Sequence, residues 1–159
     1  MLSIIIHPNE ILKRRSREID RVFLLSEDTQ RLIKEMVPTM RAAEGVGLAA
    51  PQVGENVRVC IIAKEADPTL TGDLVLANPT WQKLSRKYKT DSEGCLSIPN
   101  TWGKVKRWLD IHVDALDENG NPLSFDAHNL FARVVQHEVD HLDGILFIDK
   151  AKDITVERP

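Results

Sequence analysis

The sequence predicts a single α+β domain in which antiparallel or mixed sheets pack around a buried C-terminal helix. Three observations carry this. The elements run helix, several short strands, helix, an order typical of the α+β class. The last helical segment is apolar over too wide an arc to lie on an outer surface. The 159 residues match the usual length of one domain, so residues 1–159 are expected to form one unit.

Ser26 is placed to cap a first helix that runs to about Ala43. Leu32, Ile33, Met36, Val37 and Met40 recur at helical spacing, and Glu27 and Asp28 suit its positive N-terminal end. Pro38 should kink this helix and Gly45 should terminate it. Short apolar runs at Val57–Ala63 and Leu74–Ala77 read as strands. Leu109, Ile111, Val113 and Ala115 alternate with polar residues, the signature of a half-buried strand. Asn119-Gly120 then marks a hairpin turn into Leu123–Phe125. The second helix is expected to begin at Asp126, a good N-cap, and to end at Leu142-Asp143-Gly144.

Composition excludes several function classes. Apolar residues make up 42% and charged residues 28%, ordinary values for a globular chain. A net charge of −3 gives no general basic footprint for nucleic acid. The basic run Lys13, Arg14, Arg15, Arg17 is broken by Ser16 and followed by Glu18 and Asp20, so it reads as a solvated face. No stretch approaches the ~18 apolar residues of a membrane span. The start lacks the pattern of a secretory signal, so the expectation is a cytoplasmic protein with no membrane partner. Cys60 sits in a buried-strand pattern and is expected to be a packed free thiol.

The strongest local signal is His137-Glu138-Val139-Asp140-His141. Residues four apart share a helix face, so both imidazoles can grip one ion. Glu138 is then next to the first ligand, where its carboxylate can reach a water on the metal. A catalytic site needs a third protein ligand. Downstream of His141 the sequence has no further histidine, and its only glutamate is Glu157, two residues from the end. Upstream, Cys95 in Glu93-Gly94-Cys95-Leu96-Ser97 is the better candidate, because a thiolate binds zinc or ferrous iron strongly. A zinc peptidase with a downstream ligand and a cysteine nucleophile based on Cys95 and His137 are the competing enzyme readings. A third unusual segment, Gly45–Gln52, is rich in Gly and Ala and would let a substrate backbone approach closely.

Together Gly45–Gln52, Glu93–Ser97 and Gln136–Gly144 resemble the three signature motifs of the peptide deformylase family, in the same order. Ile6-His7-Pro8-Asn9 and Leu142–Asp149 resemble it too, so the likeness covers nearly the whole chain. The resemblance implies a hydrolase that removes the N-formyl group from the formyl-methionine of nascent polypeptides. It implies Cys95, His137 and His141 as metal ligands, so that the last helix would be a metal-binding one. The ion would be one divalent metal, natively ferrous iron, with zinc, nickel or cobalt able to substitute. Hydroxide on that metal would attack the formyl carbon, with Glu138 as general base and then acid. The Gln52 side chain and the Leu96 backbone N–H would stabilise the oxyanion. The backbone at Val46, Gly47 and Gly94 would pair with the peptide. Leu130, Arg133 and Val134, on the helix face of the ligands, would line the pocket for the methionine side chain. Arg133 departs from the family's usual apolar residue, and its charge is expected to reach water past an apolar stem. Trp102 stands where some relatives carry a basic residue that holds the peptide. Implied partners are formyl-methionine peptides emerging from the ribosome, with transient ribosome contact and no direct nucleic-acid binding. Asp140 or a backbone carbonyl is expected to orient a ligand histidine.

Overall fold

The computed structural model describes residues 1–158. A short helical turn α1 (Arg21–Leu24) leads into α2 (Glu27–Ala42), which Ser26 caps by accepting from the Thr29 N–H. α2 runs on through Pro38 and buries Ile33, Met36 and Met40. Its end differs in detail from expectation. Glu44, not Gly45, takes the left-handed conformation (φ 57°), and the Gly45 N–H bonds back to the Met40 carbonyl.

The strands follow: β1 (Gly47–Ala49), β2 (Val59–Ile62), β3 (Leu74–Lys83), β4 (Tyr88–Cys95), β5 (Ile98–Trp108), β6 (Asp110–Leu116) and β7 (Pro122–His128). Helix α3 (Asn129–Leu142) comes next, and β8 (Lys152–Val156) closes the order. Two antiparallel sheets result, one ordered β1-β2-β3-β6-β7 and the other β4-β5-β8.

α3 starts later than the sequence suggests. Asp126 is not its cap. It pairs with His112 in the β6–β7 ladder, and its carboxylate takes the His112 Nδ1 at 2.6 Å. The strand continues to His128, and Asn129 at φ 54° turns it into the helix. Ladder hydrogen bonds here outcompete a capping residue. At its other end, α3 stops at Gly144 (φ 76°), where a Cβ would stand 2.5 Å from the Lys13 carbonyl oxygen.

Burial explains why α3 is apolar over so wide an arc. Ala132, Val134, Val135, Val139 and Leu142 pack with Cys60, Ile62, Leu76, Ile111 and Val113 of the five-stranded sheet. Leu146 and Phe147, just beyond it, pack with Leu12, Ile98 and Val105 beneath the three-stranded sheet. The helix is thus held between two sheets. Cys60 is fully buried, and burial pushes its thiol pKa well up.

Candidate metal centre and active site

Three elements converge on one point. α3 presents His137 and His141 one turn apart, as i,i+4 spacing requires. The end of β4 presents Cys95 immediately before the two-residue turn Leu96-Ser97. One donor atom from each of the three residues falls within 4.8 Å of the others. The Cys95 Sγ lies 3.3 Å from the His141 Nε2, which lies 3.2 Å from the His137 Nε2. A tetrahedral ion with ligands at ~2.1 Å (N) and ~2.3 Å (S) sets its donors roughly 3.4–3.6 Å apart. The side chains therefore fit one cation with little adjustment, and soft thiolate with imidazole suits zinc or iron.

His137 is held from behind. Its Nδ1 meets the Glu93 Oε1 at 2.9 Å, which turns the Nε2 toward Cys95 and His141. Glu93 is buried and in turn accepts two 2.9 Å hydrogen bonds from Arg107 and one of 2.5 Å from Arg133. Arg107 continues to Asp140 (2.5 Å), which Lys150 also reaches. Asp140 therefore does not orient a ligand histidine as expected; Arg107 occupies it, and Glu93 does the orienting. Arg133 is also not as expected. Its guanidinium is not left free in water but donates to Glu93 and to the carbonyls of Lys89 and Val105, with 12% of the side chain still exposed.

Electrostatics differ sharply among neighbouring groups. Burial disfavours the charged form of Glu93, yet hydrogen bonds from Arg107 and His137 outweigh it and hold the carboxyl well below its usual range. Burial also works against charge on His137, but Cys95 and Glu93 overcome it and push the imidazole up to about 10. His141, with its Nδ1 buried and unpartnered, is driven well below its usual value by burial. Glu138 is pushed up to about 7 by burial, and its Oε2 is also buried without a partner. An orphaned carboxylate oxygen with a near-neutral pKa beside three metal-type donors is the arrangement a general base requires.

Gln52 faces the same point. Its Oε1 accepts from the Ala49 N–H at 2.9 Å, which fixes the amide so that the Nε2 faces Ser97 (3.1 Å) and Cys95 (3.6 Å). The Leu96 N–H makes no hydrogen bond to another backbone group among the described residues.

These groups line a cleft of about 550 Å³ that also includes Val46, Gly47, Gly94, Trp102, Leu130, Arg133 and Val134. The two sides of the cleft are β1 and β4, each an edge of its sheet. At the base of one wall, a Cβ on Gly47 would stand 2.6 Å from the Glu138 Oε1. On the other, Trp102 lies over Gly94 so closely that a Cβ there would meet its ring at 2.6 Å. Val134 is buried, while Val46, Trp102 and Leu130 stay about half exposed at the rim. All thirteen residues singled out from the sequence thus gather at one cleft or its metal-type cluster. Sequence reasoning missed Glu93, Arg107 and Ser97. Glu93 and Ser97 stand two positions either side of Cys95, the only signal that pointed to them.

Comparison with known proteins agrees with this geometry. Residues 1–157 match the family model described as polypeptide deformylase. A peptide deformylase of Nostoc sp. is 40% identical over 142 residues, covering 89% of this chain and 74% of that protein. One from Pelotomaculum thermopropionicum is 44% identical over 146 residues, covering 92% and 88%. The crystal structure of a class I type b peptide deformylase from Acinetobacter baumannii superposes with a TM-score of 0.88 at 35% identity, covering 94% of this chain and 98% of that one. With the family model spanning residues 1–157 and relatives 40% and 44% identical over most of their own length, this chain belongs to the peptide deformylase family.

Proposed function

We propose that the chain is one catalytic domain that hydrolyses the formyl group from N-formyl-methionine peptides, with Cys95, His137 and His141 holding the metal. One observation carries the reading. Three metal-type donors, the free oxygen of Glu138 and the Gln52 amide surround a single point between two unpaired strand edges.

An extended peptide adds between β1 and β4, with main-chain bonds to Val46, Gly47 and Gly94 supplying affinity. Its first side chain enters the cleft beside Leu130, Val134 and the stem of Arg133. Its amide carbon is then presented to the donor triangle. Cys95, His137 and His141 would hold a divalent ion there, which would supply Lewis acidity and lower the pKa of a water toward neutral. Glu138 takes the proton of the attacking water at its Oε2. As charge grows on the formyl oxygen, the Gln52 Nε2 and the Leu96 N–H donate to it; losing one such donor typically costs ~3–4 kcal/mol. Glu138 then returns the proton to the leaving nitrogen. The C–N bond breaks, and formate and a free amine leave. Ferrous iron is the proposed native ion, and nascent chains at the ribosome in the cytoplasm are the proposed substrates. No helix among the described residues is long and apolar enough to cross a membrane.

The test is formate release from formyl-Met-Ala-Ser by protein prepared anaerobically with ferrous iron. The reading expects activity that disappears on chelation and returns with metal, and no cleavage of internal peptide bonds. Turnover that survives complete metal removal would overturn it.

A further inference from the structure

The outer face of the β4–β5 hairpin is strongly cationic although the chain as a whole is not. Residues 83–108 hold seven Lys or Arg, of which Arg107 is buried, and only two carboxylates, while the whole chain carries −3. One of those carboxylates, Glu93, is buried in the network behind His137. The other, Asp91, pairs with Lys89.

Strand alternation puts Lys104 and Lys106 on one side and Arg107, with Lys89 across from it, on the other. Gly103, Val105 and Arg107 of β5 are buried, whereas Trp102, Lys104 and Lys106 are exposed. Opposite them on β4, Ser92 pairs with Lys104, Thr90 with Lys106 and Tyr88 with Trp108. On the other flank, Lys152 of β8 stands directly across from Lys104. Like charges placed opposite each other repel. The ion pairs of the described residues leave Lys104, Lys106 and Lys152 without a carboxylate. Farther along, Lys106 lies 4.1 Å from the Tyr88 ring centroid and Lys83 4.4 Å from that of Trp108.

This face begins at the cleft, since Ser92 and Trp102 line both. At ~3.3 Å per residue, Lys104 lies ~7 Å and Lys106 ~13 Å along the strand from Trp102. Resting on the deformylase reading, we infer that this face is an extension of the peptide site that favours acidic side chains a few residues beyond the formylated one. Nucleic acid fits less well, because lysine ammonium groups already cover the Tyr88 and Trp108 rings that bases would stack on.

The experiment compares formyl-Met-Ala-Ser-Gly extended by three Asp or by three Lys, on metal-loaded enzyme, with formyl-Met-Ala-Ser as reference. The acidic extension is expected to lower KM by about tenfold relative to the basic one, with kcat unchanged, and the gap is expected to close at about 0.5 M salt. The double variant Lys104→Glu/Lys106→Glu should reverse the preference. Equal KM for the two extensions, with the reference peptide turned over normally, overturns the inference and leaves deformylation standing. An absence of turnover on the reference peptide would instead overturn the functional reading. Binding of a short RNA that depends on these lysines, without any peptide preference, would reassign the face to nucleic acid.

Discussion

Gly47→Ala separates two jobs that one glycine performs. The new Cβ would stand 2.6 Å from the Glu138 Oε1 and 2.9 Å from its Cδ and Cγ. Ordinary carbon contacts lie at ~3.5 Å, so the carboxylate must retreat by roughly 0.6 Å. Glu138 is buried at 3% exposure on a helix wedged between two sheets, so little room exists to absorb the shift elsewhere. Misplacing a reacting group by about 1 Å can cost ~100-fold in rate. The expected loss in kcat is therefore about 10- to 100-fold. Alanine keeps the backbone N–H and C=O, so peptide pairing survives and KM should change far less. The assay is formate release from formyl-Met-Ala-Ser at matched metal content and matched thermal stability. Gly72→Ala is the control, since a Cβ there meets nothing within 4 Å. An unchanged kcat for Gly47→Ala would refute the placement of Glu138 as base; a pure rise in KM would leave Gly47 only as a peptide contact.

Other perturbations test the surroundings. Glu93→Gln removes the one carboxylate shared by Arg107, Arg133 and His137. Breaking a buried ion network typically costs ~3–5 kcal/mol, and loss of a ligand's outer partner weakens metal binding by ~10- to 100-fold. Melting and chelator-driven metal release should both register it, and a variant with parental metal retention would sink the orienting role. Phe147→Ala empties a site that is 1% exposed and stacks near His137; calorimetric unfolding should show a loss of ~3–5 kcal/mol. His112 is a pH probe away from the metal. Its hydrogen bond to Asp126 raises its pKa above 6.5, against the opposing effect of burial. A raised pKa means the pair's stabilisation is complete below the unfolded value and is lost as pH rises through the folded one. An NMR titration of Asp126→Asn should move His112 down toward 6.5, and an unmoved midpoint would contradict the assigned partner.

Much of this was legible in the residues themselves. Periodicity located α2 and the core of α3, because a helix writes its buried face into local spacing. The same spacing put His137 and His141 together, and elimination pointed upstream to Cys95. Edge strands were harder. β1 carries no strand pattern of its own because Gly47-Leu48-Ala49 is short and rich in small residues, and it is a strand only through its pairing with β2. β8 alternates weakly and is exposed along its whole length. The misplaced start of α3 has the same root: Asp126 is a good cap locally, but its partner His112 lies across a hairpin. Glu93 was invisible as an orienting group for the same reason. Its meaning comes from Arg107, brought opposite by the β4–β5 register, and from Arg133 on α3. Nonlocal pairing, rather than composition or period, decides these cases.

Under the proposed function, Glu138 beside a Cys95–His137–His141 metal site drives deformylation. Its most direct test is formate release from formyl-Met-Ala-Ser by Glu138→Ala that retains a full complement of metal, beside the parent enzyme. Rapid release by the parent and nearly none by the variant is the expected result. Comparable release by both would contradict it.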